Sequence, residues 1–529
     1  MSTLRLIHLV FLIAFIYILD EPVEQIGSYD PNESYCFRFT WFGPDYTNET
    51  TINTTCKEYL DSSRAKNTPC KQPIVITDNG APPDMNYMWE NHRDKVLCRQ
   101  TKGKVCAKYT YSFDQQLENI TYMCTKVMVP GKGIVDSGCY SQKISEYDVQ
   151  VCVCKSTPGP GKPCNSGVTQ KKLVCYFASW AVYRPGVAKY DIEDINPNLC
   201  THIIYTFAGV QPNGTIKVLD KWNDVDSQGF VRFNKLKLIN PNLKTLIAVG
   251  GWSEGSVKFS VIAGNPQYRQ NFITSAIAFI NTYQFNGIDI DWEHPAQGGG
   301  VPADKVNFPI LISELRQAIG SNYLLTIAVA ATPYMVDISY DVPQLSAKVD
   351  FINLMTYDLH GVWDQATGAN SPLYSLNPTD PISVSSCVSY WLSKGAPASK
   401  IIVGIPIYGR TFTLQNTNSN NMGAPITGPG NPGPYTQEAG TMIYNEIYEL
   451  LQTNQWTRKW DNVQKVPYLY KGNQWISYDD ERSVALKAAY ITCNDLGGAM
   501  VWSIDMDPIY VTVNGKNPII NKIKLHLLE

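Results

Sequence analysis

The chain has 529 residues, 44% of them hydrophobic and 17% charged, with a formal net charge of -3. That apolar content excludes a disordered chain, and the near-neutral balance excludes a basic nucleic-acid binder or a polybasic membrane partner. Cysteine divides the sequence: ten of the 14 lie between Cys36 and Cys164, which is the composition of a disulfide scaffold, while the rest reads as an ordinary folded domain.

In chain order, residues 1–20 place one basic residue, Arg5, before an apolar run from Leu6 to Leu19 broken only by His8. A run of about 14 residues suits a secretory signal core and falls short of the ~20 needed to span a bilayer. The expectation is a signal peptide and a secreted, extracellular protein. An uncleaved anchor is the alternative, because no clear small-x-small site precedes Glu21. Five N-x-S/T sequons, at Asn32, Asn48, Asn53, Asn119 and Asn213, agree with export as glycosylation sites.

Residues 21–154 form the cysteine-rich module. The pairings of the ten cysteines from Cys36 to Cys164 are left open, since they admit about 945 connectivities. Zinc is disfavoured: the close pair is Cys152-x-Cys154 rather than a C-x-x-C repeat. The ending VCVCKSTPGPGKPCN is similar to the close of small three-finger-type extracellular modules. The sequence assigns this module no partner. Residues 155–171, rich in proline and glycine, read as a linker.

From residue 172 to 529 short apolar runs alternate with helical stretches. The runs are LVCYF (173–177), HIIYTFAG (202–209), TLIAVGG (245–251), GIDIDWE (287–293), LTIAVAA (325–331), FINLMTYD (351–358), IIVGIPIYG (401–409) and GAMVWSID (498–505). Eight buried strands with intervening helices predict an α/β fold, a (β/α)8 TIM barrel. The long gap before the last run opens with loop chemistry, so a small α/β insertion domain is expected after strand 7, at about 411–477.

The fourth run carries the chemistry. Alternate residues share one face of a strand, so Asp289, Asp291 and Glu293 point one way, and Ile288, Ile290 and Trp292 the other. In a barrel strand the acidic face is the interior, and Glu293 stands nearest the C-terminal mouth where barrel active sites lie. Carboxylates that close cannot all ionise, and a raised pKa suits a general acid.

GIDIDWE resembles the D-x-x-D-x-D-x-E signature of the family 18 glycoside hydrolases, the chitinases and chitinase-like proteins. LVCYFASWAVYRPG, NLCTHIIYTFAG, LIAVGGW, NLMTYDLHGVW, GIPIYGRTF and GGAMVWSIDMD match the animal pattern in the same order. The resemblance implies a retaining, endo-acting, substrate-assisted chitinase, an exception to the two-carboxylate rule. Its ligand would be chitin or chito-oligosaccharides. Glu293 would be the general acid, Asp291 would orient the N-acetyl group, Asp289 would share charge beneath, and Tyr357 would hydrogen-bond the acetyl group. Asp358, Met355, Tyr408 and Arg410 match residues around the cleavage point. Trp502 matches the tryptophan that stacks on the reacting sugar, while Trp180, Trp252 and Trp363 stand where they would line a groove. Tyr176 and Phe207 match floor residues, with barrel core as the other reading. Cys175 and Cys200 match a family disulfide, and topology suggests a second between Cys387 and Cys493.

Three positions depart from the pattern: Asn286 stands for the first aspartate, His294 follows the glutamate in place of tyrosine, and Ala248 replaces a common serine. Asn286 is expected to be a structural substitution that leaves activity intact. The rival expectation is a chitinase-like glycan-binding protein with little turnover, although such relatives commonly lack the glutamate. No phosphate-binding glycine motif follows a strand, and the six histidines show no ligand spacing. Nucleotide, cofactor and metal are therefore not expected.

Overall fold

The computed structural model describes residues 17–19, 29–43, 55–62, 68–77, 82–83, 85–113, 116–129, 133–136, 138–144, 147–156, 158–159, 163–166, 171–377, 381–510 and 515–528. The run read as a signal lies outside these apart from Tyr17–Leu19, a short strand antiparallel to residues 126–128. The sequons at Asn48 and Asn53 also lie outside. The chain forms two compact units, Met1–Val168 and Thr169–Leu528.

The first unit is a largely antiparallel sheet built on the long strands Val105–Phe113 and Gln116–Val129, with Tyr147–Cys154 and Gly138–Ile144 added beside the first of them. Disulfides join Cys36 to Cys106, Cys56 to Cys70, Cys98 to Cys124, and Cys154 to Cys164, and Cys152 is also disulfide-bonded. Two sequence expectations need correcting here. The start of the supposed linker is part of the module: the Cys154–Cys164 bridge closes it, and Asn165 is buried with its amide bonded to both backbone groups of Phe37. Asn119 is fully buried, and its side-chain amide donates to Tyr59 and Thr68, so this sequon does not face solvent in the folded unit. Asn32 and Asn213 are exposed.

The second unit is the expected barrel. Its strands are β1 (Lys172–Ala178), β2 (His202–Val210), β3 (Lys244–Gly250), β4 (Gly287–Asp291), β5 (Leu324–Ala330), β6 (Phe351–Met355), β7 (Ile401–Pro406) and β8 (Gly498–Trp502). Each pairs in parallel with its neighbours, and β1 closes on both β2 and β8. Alternation sorts the side chains. Val174, Ile204, Leu246, Ala248, Ala328, Phe351, Ile402 and Met500 fill the interior, while Ile288, Ile290 and Trp292 pack outward against the helices. The Cys175–Cys200 bridge is present and ties β1 to the segment before β2.

The insertion is a six-stranded antiparallel sheet with one helix, Tyr444–Gln452. Its first strand, Tyr408–Leu414, begins three residues before the expected boundary, and that shift assigns Tyr408 and Arg410 to the insertion.

The second barrel disulfide is not formed. Cys387 is a free thiol on the helix Val384–Ser393, fully buried in the apolar layer outside the barrel. It serves there as a small core side chain, and burial pushes its pKa up to about 12. A thiol reagent at pH 8 should therefore leave Cys387 unmodified in the native protein. After denaturation without reductant it should titrate, and Cys387→Ala should remove one equivalent.

Candidate active site

The acidic column stands as the strand period requires. In register, Asp289 lies beside Ala248 of β3 and Thr326 of β5. Asp289 is fully buried and accepts hydrogen bonds from Tyr176 (2.7 Å), Thr326 and Asn353 (3.2 Å); Asn353 also donates to the Tyr176 hydroxyl (3.1 Å). Burial still pushes its pKa up to about 6, because the three donors only partly replace lost hydration. Asp291 is raised further by burial and by its two acidic neighbours, and its Oδ1 has no hydrogen-bond partner.

Glu293 lies just past the strand end and is half-buried. Burial, reinforced by the charge of Asp358 and opposed by a hydrogen bond from the Trp252 backbone, pushes it up to about 7. Its nearest basic group is no counter-ion. The His294 Nε2 is 3.6 Å from a Glu293 oxygen, but burial lowers the imidazole pKa to about 4, so it is neutral at pH 7. The other ring nitrogen lies 3.3 Å from the Tyr340 hydroxyl.

A second cluster forms at the mouth of β6. Tyr408 and Arg410 each donate to Asp358 at 2.7 Å, and the guanidinium lies over the rings of Trp363 and Tyr408. Asp358 adopts φ +53°, a left-handed conformation held by its backbone bond to Asn370. Asn370 donates to the Tyr408 carbonyl and thereby fixes the insertion strand against this turn. Tyr357 packs edge-on to Tyr408 and its hydroxyl approaches the Met500 sulfur. Met355, the last residue of β6, is half-buried among the interior side chains.

The aromatics separate by exposure. Trp252 is 77%, Trp363 55% and Trp180 41% exposed, so these three offer open ring faces. Trp363 depends on Gly361, where an added Cβ would come within 2.4 Å of its ring. Trp502 is half-buried at the end of β8, grouped with Tyr176, Phe207 and Trp180 at ring separations of 5.4–6.3 Å. Phe207 is half-buried in this group. Tyr176 is 1% exposed, so the core reading applies to it: its hydroxyl serves Asp289.

Sequence reasoning missed Thr326, Asn353 and Asn370. The first two had a signal, being polar residues at inward positions of otherwise apolar runs. Asn286 has a clear role. Its Oδ1 accepts from the Thr245 backbone N–H (2.9 Å), tying β4 to β3 at the end away from the site, while the Thr245 hydroxyl donates to Asn234 (2.6 Å). An amide oxygen does this as well as a carboxylate. Among the described residues the one close metal-type cluster is Cys36, Cys98 and Cys124, and all three sulfurs are in disulfides.

A closed barrel thus carries an acidic column that rises to a half-buried glutamate, with open tryptophan faces nearby. Residues 172–507 match the model of the glycosyl hydrolases family 18, and the chain belongs to that family. An endochitinase of Manduca sexta is 42% identical over 376 residues, covering 68% of each chain. The structure of the Ostrinia furnacalis Group IV chitinase superposes with TM-score 0.67 at 43% identity, over 68% of this chain and 100% of that one. Human YKL-39, described as a pseudo-chitinase with retained chitooligosaccharide binding, superposes with TM-score 0.63 at 36% identity, over 68% of this chain and 100% of that one.

Two outcomes test this geometry. Asn286→Asp should leave thermal unfolding unchanged, whereas Asn286→Ala, which strands the Thr245 backbone N–H, should cost about 1–3 kcal/mol in chemical denaturation. Asp291 has its pKa raised in the fold, so the folded state binds more protons than the unfolded one and loses stability as pH rises. Asp291→Asn should therefore melt above wild type at pH 8 and close to it at pH 4.

Proposed function

We propose that the chain is a secreted chitinase that hydrolyses β-1,4-linked N-acetylglucosamine polymers with retention, by a substrate-assisted and endo-acting route. The observation that carries this reading is Glu293: a half-buried carboxyl at the top of an intact acidic column, its pKa pushed up to about 7. A group with that pKa holds its proton long enough to deliver it near neutral pH.

In this reading the reacting sugar rests on Trp502 and its N-acetyl group faces Tyr357 and Asp291. Glu293 donates its proton to the glycosidic oxygen as the bond to the anomeric carbon breaks. The substrate's own acetyl oxygen closes on that carbon, so no second carboxylate is needed as nucleophile. Asp291 accepts from the acetamide N–H and offsets the positive charge that forms. Glu293, now ionised, takes a proton from water, which opens the ring intermediate from the face the leaving group vacated. Trp180, Trp252 and Trp363 hold the flanking sugars by their exposed rings.

Four disulfide bridges among the described residues of the cysteine-rich unit support secretion, since such scaffolds persist in oxidising compartments. Among the described residues no helix is long and apolar enough to cross a membrane. Exposed Asn32 and Asn213 are the sequons we assign as glycan acceptors.

Glu293→Gln should lower release of chito-oligosaccharides by about 10²–10⁴-fold, measured on a fluorogenic chitobioside; undiminished turnover would sink the proposal. A glycan-binding protein would instead retain oligosaccharides without turnover in the wild type. Because the acid acts protonated, activity should fall as pH rises through about 7. Asp358→Asn removes a charge that raises Glu293, so the alkaline limb of the remaining activity should move to lower pH.

A further inference from the structure

Helix-capping serines ordinarily accept from backbone N–H groups in the first turn. Ser256 stands at the N-cap of the helix Val257–Gly264, yet its side chain caps nothing. It is 1% exposed, and its hydroxyl is turned toward β4. There it accepts from the Trp292 indole N–H at 2.7 Å and donates to the His294 carbonyl at 2.8 Å. Those two residues flank Glu293. One hydroxyl therefore spans the acid, holding the side chain before it and the backbone after it.

The surroundings leave this clamp little freedom. Trp292 is stacked on Phe259 at 5.5 Å and meets Phe308 edge-on at 5.3 Å, so its indole cannot turn away without disturbing the outer core. A Cβ at Gly300 would lie 2.8 Å from the Ser256 oxygen and 2.4 Å from Asp304, so the loop after Glu293 packs closely over the clamp. Asp304 in turn accepts from the backbone of Ala296 and Val301, which fixes the rest of that loop.

We propose that Ser256 is a positioning residue for Glu293: its hydroxyl sets the acid's backbone, and thereby the place of the carboxyl relative to the scissile bond. This rests on the reading of Glu293 as the proton donor. A displacement of about 1 Å in a reacting group is enough to cost on the order of 100-fold in rate. Ser256 lies behind the strand and touches no position offered to a sugar ring, so its effect should fall on the chemical step rather than on binding.

The test compares wild type, Ser256→Ala and Ser256→Thr on chito-oligosaccharides, with thermal unfolding and rates taken per folded molecule. Ser256→Ala should lower kcat by about 10- to 100-fold with KM changed less than about threefold. It should also move the alkaline limb of the pH profile, because the carboxyl's surroundings change. Ser256→Thr, which restores the hydroxyl, should recover most of kcat and the wild-type limb. A Ser256→Ala protein that melts lower yet keeps wild-type kcat and pH limb per folded molecule overturns the inference, as does a threonine variant as slow as the alanine one. An inactive wild type overturns the reading of Glu293 and this inference together, whereas an active wild type with a normal Ser256→Ala overturns this inference alone.

Discussion

Three carboxyl groups in one column, two on a strand inside a closed barrel and the third just past its end, are the constraint to which the rest of the site answers. Ionised together, Asp289, Asp291 and Glu293 would repel in a place that water cannot screen. The barrel answers from below, with Tyr176, Thr326 and Asn353 donating to Asp289. Nothing equivalent reaches Asp291, whose Oδ1 is unpaired. The bottom of the column is thus solvated by protein and the middle is not, so protonation favours Asp291 and Glu293 over Asp289. In the proposed reaction the acetamide of a bound sugar would supply what Asp291 lacks.

Much of this was legible in the sequence, because period-two alternation in GIDIDWE leaves one solution once a barrel covers the strand's outer face. The barrel itself followed from eight apolar runs separated by helical stretches, and the observed strands match each of them. Less legible were residues whose roles depend on tertiary neighbours. Thr326 and Asn353 sit in apolar runs, and only register brings them to Asp289. Tyr176 shares an inward face with possible floor residues, and depth along the strand, which sequence does not encode, makes it core. Cys387 and Cys493 are near in topology, yet the Cys387 thiol is enclosed by apolar side chains. Asn119 carries a local glycosylation signal on a side that the fold turns inward.

The departures from the family pattern become intelligible in physical terms. Asn286 uses only a carbonyl-type oxygen, so the loss of a negative charge changes nothing it does. Ala248 brings no hydroxyl to the column, and the donors on β1, β5 and β6 satisfy Asp289 without one. His294 is the departure nearest the acid. Being held neutral, it adds a polar edge beside Glu293 without adding a counter-charge that would strip its proton.

Tyr408 and Arg410 belong to a strand that is hydrogen-bonded to three others in the insertion: Ile426–Pro429, Thr441–Ile443 and Gln474–Ser477. Both residues point to the same side, two apart, and both meet Asp358. A slip of one residue in that register would turn both away at once. The insertion is therefore not an ornament that drift can resize or replace at will. Any lengthening that leaves the first strand's pairing intact is neutral to the site, and any that shifts it uncouples Asp358 from its two donors in a single step. Variation in this lineage should accumulate in the turns far from Tyr408, with the strand itself held still.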